Sequence, residues 1–185
     1  MKAPRTATTY EASAGRLLLI AEGDVLAACA FADTPAALRR LGETPLLPMA
    51  AAEAQAPVLG RATKWLDACF SGSELPPLPP LAAAPTDFGR RLRAALLRIP
   101  RGTTACYAEL ARCLGTSPRA VGRGVAANPL LVFVPCHRIT GRGHKLLGYA
   151  GGAERQALLL QAEAAKQART AANVVHPASV AKRHV

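Results

Sequence analysis

The chain has 185 residues, half of them apolar and 19% charged, with a formal net charge of +11. That length allows one domain or two small ones with a real core, and no apolar run is long enough to span a membrane. Met1 to Tyr10 is polar and the first apolar run is interrupted by Glu22 and Asp24, which does not read as a secretory signal. The expectation is a cytoplasmic protein, nucleoid-associated in a bacterium or nuclear in a eukaryote.

The charge is uneven. Residues 1–87 sum to −2, residues 88–145 carry eleven basic groups against the single acid Glu109, and residues 146–185 sum to +3. A segment this basic fits a polyanionic partner, most simply nucleic acid; it fits equally an arginine-rich solubilising surface. The five cysteines, Cys29, Cys69, Cys106, Cys113 and Cys136, are odd in number and contain no CxxC pair. That argues against a disulfide framework and against a closed zinc site. Free thiols are expected, most of them packed as small core hydrophobes.

In chain order, Arg16 to Ile20 and Val25 to Phe31 are apolar runs joined by Glu22-Gly23-Asp24, which predicts a β-hairpin. Thr34-Pro35 has the form of an N-cap and first-turn proline for a short helix over Ala36 to Leu41. A second helix is expected over Val58 to Phe70, stopped by Ser71-Gly72. Leu75 to Pro85 holds five prolines and marks a linker, so the domain boundary belongs there. Phe88, Leu92, Ala95, Leu96 and Ile99 recur at helical spacing before Pro100-Arg101-Gly102. Two short helices follow, Tyr107 to Leu114 and Ser117-Pro118 to about Ala127, joined by a glycine-containing turn in the form of a helix-turn-helix. Leu130 to Val134 reads as a buried strand, and Gly141 to Gly152 as a glycine-rich loop. The last helix is expected from Ala153 to about Ala165, followed by a mobile tail over residues 166–185.

The chemistry concentrates at Pro135-Cys136-His137-Arg138. Proline lacks an N–H and ends regular pairing, which frees the chain to turn and present the thiol rather than bury it. An unperturbed cysteine titrates near ~8.5 and needs a base or cation to become a nucleophile. Neighbouring side chains of an extended chain point opposite ways, so the turn or a bridging water must connect Cys136 with His137. A lone cysteine is also compatible with a buried structural thiol, Glu163 with a solvated helix position, and the Ala/Gly-rich helix bearing Arg119 with an ordinary surface helix. Glycine inside that helix costs about 1 kcal/mol of propensity, which makes sense where a backbone must approach something closely.

Several signals stand in one order: Ile99-Pro100-Arg101-Gly102, Tyr107 with Glu109-Leu110-Ala111, Arg119-Ala120-Val121-Gly122, Asn128-Pro129, Pro135-Cys136-His137-Arg138, Gly148-Tyr149 with Gly151-Gly152, and Leu159-Leu160 with Glu163. This set resembles the O6-alkylguanine-DNA alkyltransferases, also called methylated-DNA–protein-cysteine methyltransferases. The motifs cover about residues 86–165, and the first 85 residues match only loosely. The resemblance implies an α/β (α+β) fold: an N-terminal β-hairpin and helix domain of ribonuclease-H-like type over residues 1–85, then a helix-turn-helix, winged-helix-like alkyltransferase domain over 86–165. It implies Cys136 as alkyl acceptor, linked through water to His137, which Glu163 orients. Tyr107 would meet N3 of the flipped guanine, and Asn128 would be the hinge between recognition helix and active-site strand. Arg119 would enter the stack from the minor groove, with Ala120, Gly122, Arg123, Ala126 and Ala127 along the same DNA-binding helix. Val125, Ile139, Tyr149, Ala150 and Gly151 would shape the base pocket and its lid, Gly148 to Gly152. Arg138 would be structural, tying the turn to the core.

The implied partner is duplex DNA containing O6-alkylguanine, with O4-alkylthymine as a further substrate class, acted on by a monomer without membrane, metal or cofactor. The chain departs from the family pattern at Ala150, where some members have a hydroxyl donor, and at Gln156, where lysine is common. The Gly115–Ser117 loop is shorter than in some relatives, and Cys106 stands in the usual serine position. Two rivals remain at this level: a DNA-binding damage-recognition module without chemistry, and a cysteine hydrolase of another type.

Overall fold

The N-terminal sheet is built around its middle strand. In the computed structural model, which describes residues 3–146 and 148–173, strands β1 (Arg5–Ala12), β2 (Gly15–Glu22) and β3 (Val25–Phe31) form an antiparallel meander in the order β1-β2-β3. Leu17, Leu19 and Ala21 of β2 face the main core, while Leu18 and Ile20 face a smaller cluster with Ala7, Ala28, Ala30 and Ala37. Both faces of β2 are buried, so the strand reads as a continuous apolar run rather than an alternation. β1 lies outside the predicted hairpin. Two of its buried positions are threonines, Thr6 and Thr8, and the Thr8 hydroxyl donates to the Leu47 carbonyl; hydrophobic periodicity does not register such a strand.

Helix α1 (Pro35–Leu41) starts as expected, with the Thr34 side chain accepting from the Ala37 N–H. Helix α3 (Pro57–Ser71) stops at Gly72, whose φ of 80° is the left-handed conformation that suits glycine. Between them lies α2 (Met49–Gln55), which has no apolar stripe, only Ala52 being buried. The proline-rich stretch 75–85 is extended but not free. The Leu26 N–H donates to the Pro80 carbonyl at 2.8 Å and the Ala82 N–H to the Leu26 carbonyl at 2.9 Å. The linker therefore covers part of the exposed edge of β3.

The C-terminal half comprises α4 (Asp87–Leu97), β4 (Ala105–Cys106), α5 (Tyr107–Leu114), α6 (Pro118–Ala126), β5 (Ile139–Thr140) and α7 (Ala153–Asn173), with β4 and β5 pairing in parallel. One contiguous core joins both halves, from Leu17 and Phe31 through Trp65 and Leu66 to Val121, Phe133 and Leu159. α7 continues to Asn173, past the boundary expected at Ala165, so residues 166–173 are helical and not a tail. Residues 174–185 of the expected mobile tail lie outside the described residues.

The expected strand over Leu130–Val134 is a buried turn. Only Leu130 makes a bridge, to Cys29, and the Val134 N–H returns to the Leu130 carbonyl. Val132 has φ 71°, which a β-branched side chain adopts only under constraint from its surroundings. Pro129 and Pro135 bracket the run, and Trp65 packs on Phe133 with ring centroids 4.8 Å apart. An apolar run fixes burial, and burial suits a packed turn as well as a strand. The Cys29 N–H donates to the Pro129 carbonyl and the Leu131 N–H to the Cys29 carbonyl, both at 2.8 Å. The edge of β3 thus carries the segment that leads to Cys136. Of the cysteines, only Cys29 and Cys136 are fully buried; Cys69 and Cys106 are half-buried and Cys113 is exposed, so the expectation of mostly buried thiols does not hold.

Candidate active site

The turn at Cys136 is a single turn of 3-10 helix, Cys136–Arg138, following Pro135. It buries the thiol instead of presenting it: Cys136 is 2% exposed. The proline ends pairing as expected, but the turn it permits folds inward. Asn128, just after α6, organises the surroundings. Its Nδ2 donates to the Cys136 Sγ at 3.1 Å and to the Val134 carbonyl at 3.2 Å, while its Oδ1 accepts the Leu130 N–H at 3.1 Å. The side chain expected as a hinge holds the sulfur. Burial raises the thiol to about 11, against the Asn128 hydrogen bond and the N–H groups of Cys136 and His137 that favour the thiolate. At rest the group is a thiol, and it needs a base.

The next residue, His137, is paired with Glu163. His137 Nε2 lies 3.1 Å from Glu163 Oε1. An ionised carboxylate only accepts, so Nε2 carries the proton and Nδ1 keeps its lone pair. Nδ1 is buried and makes no hydrogen bond among the described residues. Burial also lowers the imidazole below its usual range, against Glu163 and with the help of Arg138 and Arg101, which favours the neutral base. Glu163 is 5% exposed. Burial alone would raise it; hydrogen bonds from His137 and Arg138 and the Gly102 N–H hold it down at about 2. With His137 neutral, Arg138 is the cation that keeps Glu163 ionised: its Nη2 and Nε reach the carboxylate at 2.7 and 3.0 Å, and its Nη1 donates to the Ile99 carbonyl.

These shifts fix the acid response of the fold. Both groups have folded values below their unfolded ones, so both contribute stability that is complete above the unfolded value and is lost as pH falls. The loss starts below about 6.5 through His137 and continues through Glu163 from the ordinary carboxylate value of 4.5 down to about 2. Thermal melting between pH 8 and pH 3 is expected to show this fall, and a Glu163→Gln protein is expected to show a shallower one. Equal slopes in the two proteins would contradict the ionised buried carboxylate.

Around this centre, Tyr107 opens α5. Its hydroxyl is 3.8 Å from where a Cβ on Gly148 would sit, and its ring is 3.9 Å from the same point on Gly122, so it stands between α6 and the glycine-rich segment. Burial, then the Cys136 charge, raises its phenol. Tyr149 is buried, and its ring meets that of His137 edge-on with centroids 6.3 Å apart. α6 begins with the Ser117 hydroxyl capping the Ala120 N–H at 3.2 Å. Arg119, Arg123, Ala126 and Ala127 form its exposed face, with Ala120 and Gly122 half-buried. The small residues have more than one cause. A Cβ on Gly124 would collide with Leu92 and Phe88 of α4, whereas at Gly122 it would meet nothing closer than Tyr107. Gly124 thus serves packing of the helix pair, and only part of the small-residue pattern serves an open surface.

The comparisons with known proteins agree with this geometry. Residues 87–165 match the family model described as 6-O-methylguanine DNA methyltransferase, DNA binding domain. The methylated-DNA–protein-cysteine methyltransferase of Mycobacterium leprae is 36% identical over 151 residues, covering 80% of this chain and 86% of the relative. The chain belongs to the methylated-DNA–protein-cysteine methyltransferase family. The crystal structure of the Mycobacterium tuberculosis O6-methylguanine methyltransferase superposes with a TM-score of 0.75 at 33% identity, covering 88% of this chain and 94% of that one. A structure of M. tuberculosis OGT in complex with DNA has a TM-score of 0.74 at 32% identity and covers 87% and 94%.

Among the site residues expected for this methyltransferase, Asn128 bonds to the Cys136 sulfur and Glu163 to the next residue, His137, two pairs joined through the Cys136–His137 backbone. Tyr107, Tyr149 and Gly151 surround them. Val125 and Ile139 are fully buried, and Ala150 is exposed. Two contributors carried no role in the sequence reading. Gln156, noted there only as a departure, donates from Nε2 to the His137 and Ile139 carbonyls at 3.0 and 2.8 Å and so fixes the turn from behind. Arg101 places its Nε 3.9 Å from Glu163. The seven-residue step from Gln156 to Glu163 puts both on one face of α7 two turns apart, which is the signal that could have found Gln156.

Proposed function

We propose that this methyltransferase repairs duplex DNA by moving the alkyl group of O6-alkylguanine onto Cys136. The observation that carries the reading is the sulfur held by Asn128, followed in the chain by an imidazole whose Nε2 is taken by Glu163 and whose Nδ1 has no hydrogen bond among the described residues. A DNA-binding module without chemistry has no use for a retained thiol with His137 and Glu163 at the family spacing, and that disfavours the non-enzymatic reading.

The sequence of events follows from the parts. The exposed face of α6 enters the minor groove, and Arg119 takes the place of the flipped base, offsetting part of an unstacking cost of a few kcal/mol. The base lies between Tyr107 and the Gly148–Gly152 lid, with Tyr149, Val125, Ile139, Ala150 and Gly151 around it. The Cys136 proton passes through a bridging water to His137 Nδ1, and Glu163 stabilises the imidazolium that forms. Sulfur then bonds to the alkyl carbon as the carbon–O6 bond breaks. The Tyr107 hydroxyl, donating to N3, helps neutralise the departing purine, and the proton regained by guanine balances the one taken from the thiol. A thioether has no easy leaving group, so each molecule acts once.

No metal, redox partner or methyl-donor cofactor enters this balance. We read the N-terminal meander with its helices as the ribonuclease-H-like unit (1–85), and α4 to α6 with their short β-pair as the winged-helix-like unit (86–165), acting as a monomer.

The test is intact-mass measurement after incubation with duplex DNA containing O6-methylguanine. Exchange of one hydrogen for one methyl adds about 14 Da, once per molecule and mapped to Cys136. No adduct, or an adduct elsewhere, would overturn the proposal.

A further inference from the structure

We propose that Asp33 and Arg155 form a latch through which the N-terminal sheet holds the Gly148–Gly152 segment closed, and that the latch sets how large an alkyl group the site admits. The size selection rests on the alkyl-transfer reading above; the latch itself does not.

Arg155, in the first turn of α7, is the meeting point. Its Nη2 donates to Asp33 Oδ2 at 2.6 Å, across 122 residues of sequence. Its guanidinium lies over the Phe31 ring, 4.4 Å from the centroid. Its Nη1 donates to the Gly151 carbonyl at 3.4 Å. Gly15, the first residue of β2, has φ 120° and would place a Cβ only 3.3 Å from Arg155 Nε. One guanidinium thus stands against the start of β2, the end of β3, Asp33 two residues beyond it, and the Gly151 carbonyl. An arginine suits this task because its planar fork donates in several directions while its face stacks on an aromatic ring.

Phe31 is the surface on which the lid closes. It is fully buried at the end of β3, and a Cβ on Gly151 would lie 2.6 Å from two of its ring carbons and 2.6 Å from the Tyr149 ring. Only glycine lets the lid backbone settle there. Tyr149 is wedged against Gly151 on one side and faces His137 on the other. A methyl group requires little room at the sulfur. A benzyl group requires Tyr149 to swing away, and Tyr149 moves only if Gly151 lifts from Phe31. That motion stretches the Arg155–Gly151 bond and tilts Arg155 off its ring and away from Asp33. Asp33 and Arg155 are therefore positioning residues, acting on the alkyl group through Tyr149 and Gly151.

The experiment compares wild type, Asp33→Asn, Arg155→Gln and Arg155→Lys. Single-turnover rate constants are measured with duplex DNA holding O6-methylguanine or O6-benzylguanine. Amide hydrogen exchange of the 148–152 segment is followed in the free proteins. Loosening the latch is expected to raise the benzyl-to-methyl rate ratio about three- to fivefold in Asp33→Asn and Arg155→Gln, the scale of a partly exposed ion pair. The same two variants should exchange the lid amides faster. Arg155→Lys, which keeps the charge, should stay closer to wild type than Arg155→Gln. An unchanged ratio with both rates falling in parallel would mean a merely structural contact and would sink the size selection. Unchanged lid exchange would sink the latch whatever the rates do. A wild-type protein that transfers no alkyl group to Cys136 would refute the functional reading, and the exchange data would still judge the latch.

Discussion

A Cys136→Ala protein is expected to lose alkyl transfer completely and to keep its fold and its affinity for DNA. The side chain ends at Cβ, so no acceptor atom remains for the alkyl carbon. The other four cysteines are no substitute: Cys29 is buried and pushed up by burial, and Cys69, Cys106 and Cys113 make no contact with Asn128 or His137 among the described hydrogen bonds. The truncation is mild for the core. It removes one sulfur atom, a loss of about 1 kcal/mol on the scale of small core truncations, and the Asn128 amide keeps its bond to the Val134 carbonyl. The exposed face of α6 is untouched, so binding to duplex DNA in a mobility-shift assay should remain within about twofold, as for a substitution that removes no phosphate contact. An alkyl adduct on the Cys136→Ala protein would show that the acceptor has been misassigned. A protein that also lost DNA binding would show that the thiol and the helix surface are not separable.

Glu163→Gln is expected to be the most damaging conservative change in the molecule. The carboxylate accepts from His137, Arg138 and the Gly102 N–H at once. An amide keeps the shape but not the charge, leaving the Arg138 guanidinium buried without its counter-ion. Breaking one partner of a buried pair costs about 3–5 kcal/mol, which for a chain of this size lowers Tm by about 10 °C. The chemistry suffers separately. A glutamine can turn its NH2 toward His137 Nε2, which reverses the tautomer and places a proton on Nδ1, where the base is needed. General-base assistance contributes about 10²- to 10⁴-fold, so the rate of methyl transfer should fall by about two orders of magnitude at a temperature where the variant is still folded. Calorimetry and single-turnover transfer measured together separate the two effects. A folded Glu163→Gln protein with a wild-type rate would remove Glu163 from the mechanism and leave it a structural anchor.

The helices of the C-terminal half were legible because each is punctuated by local chemistry. Thr86 and Ser117 cap α4 and α6 through their side chains, Gly115 ends α5 in the left-handed conformation, and the apolar stripes have helical period. Two elements of the N-terminal half escaped for a local reason too: β1 buries threonines, and α2 buries only one alanine. The order of motifs singled out Asn128, Cys136, His137 and Glu163, and the structure pairs Asn128 with Cys136 and His137 with Glu163.

What the chain determined by itself was therefore everything that short-range chemistry encodes: caps, stops, apolar periods, a basic central segment, and a cysteine followed by histidine. Whether that thiol was exposed depended on long-range packing. Trp65 and the edge of β3 fold the Leu130–Val134 run into a turn rather than a strand, and the turn carries Cys136 into the interior. The tautomer of His137 follows the same way. Which nitrogen of His137 is free is fixed by a carboxylate 26 residues away, and that carboxylate is ionised because Arg138 and the Gly102 N–H meet it in the interior. Hydrogen-bond partners and desolvation are properties of a packed interior, so only the tertiary structure could decide them.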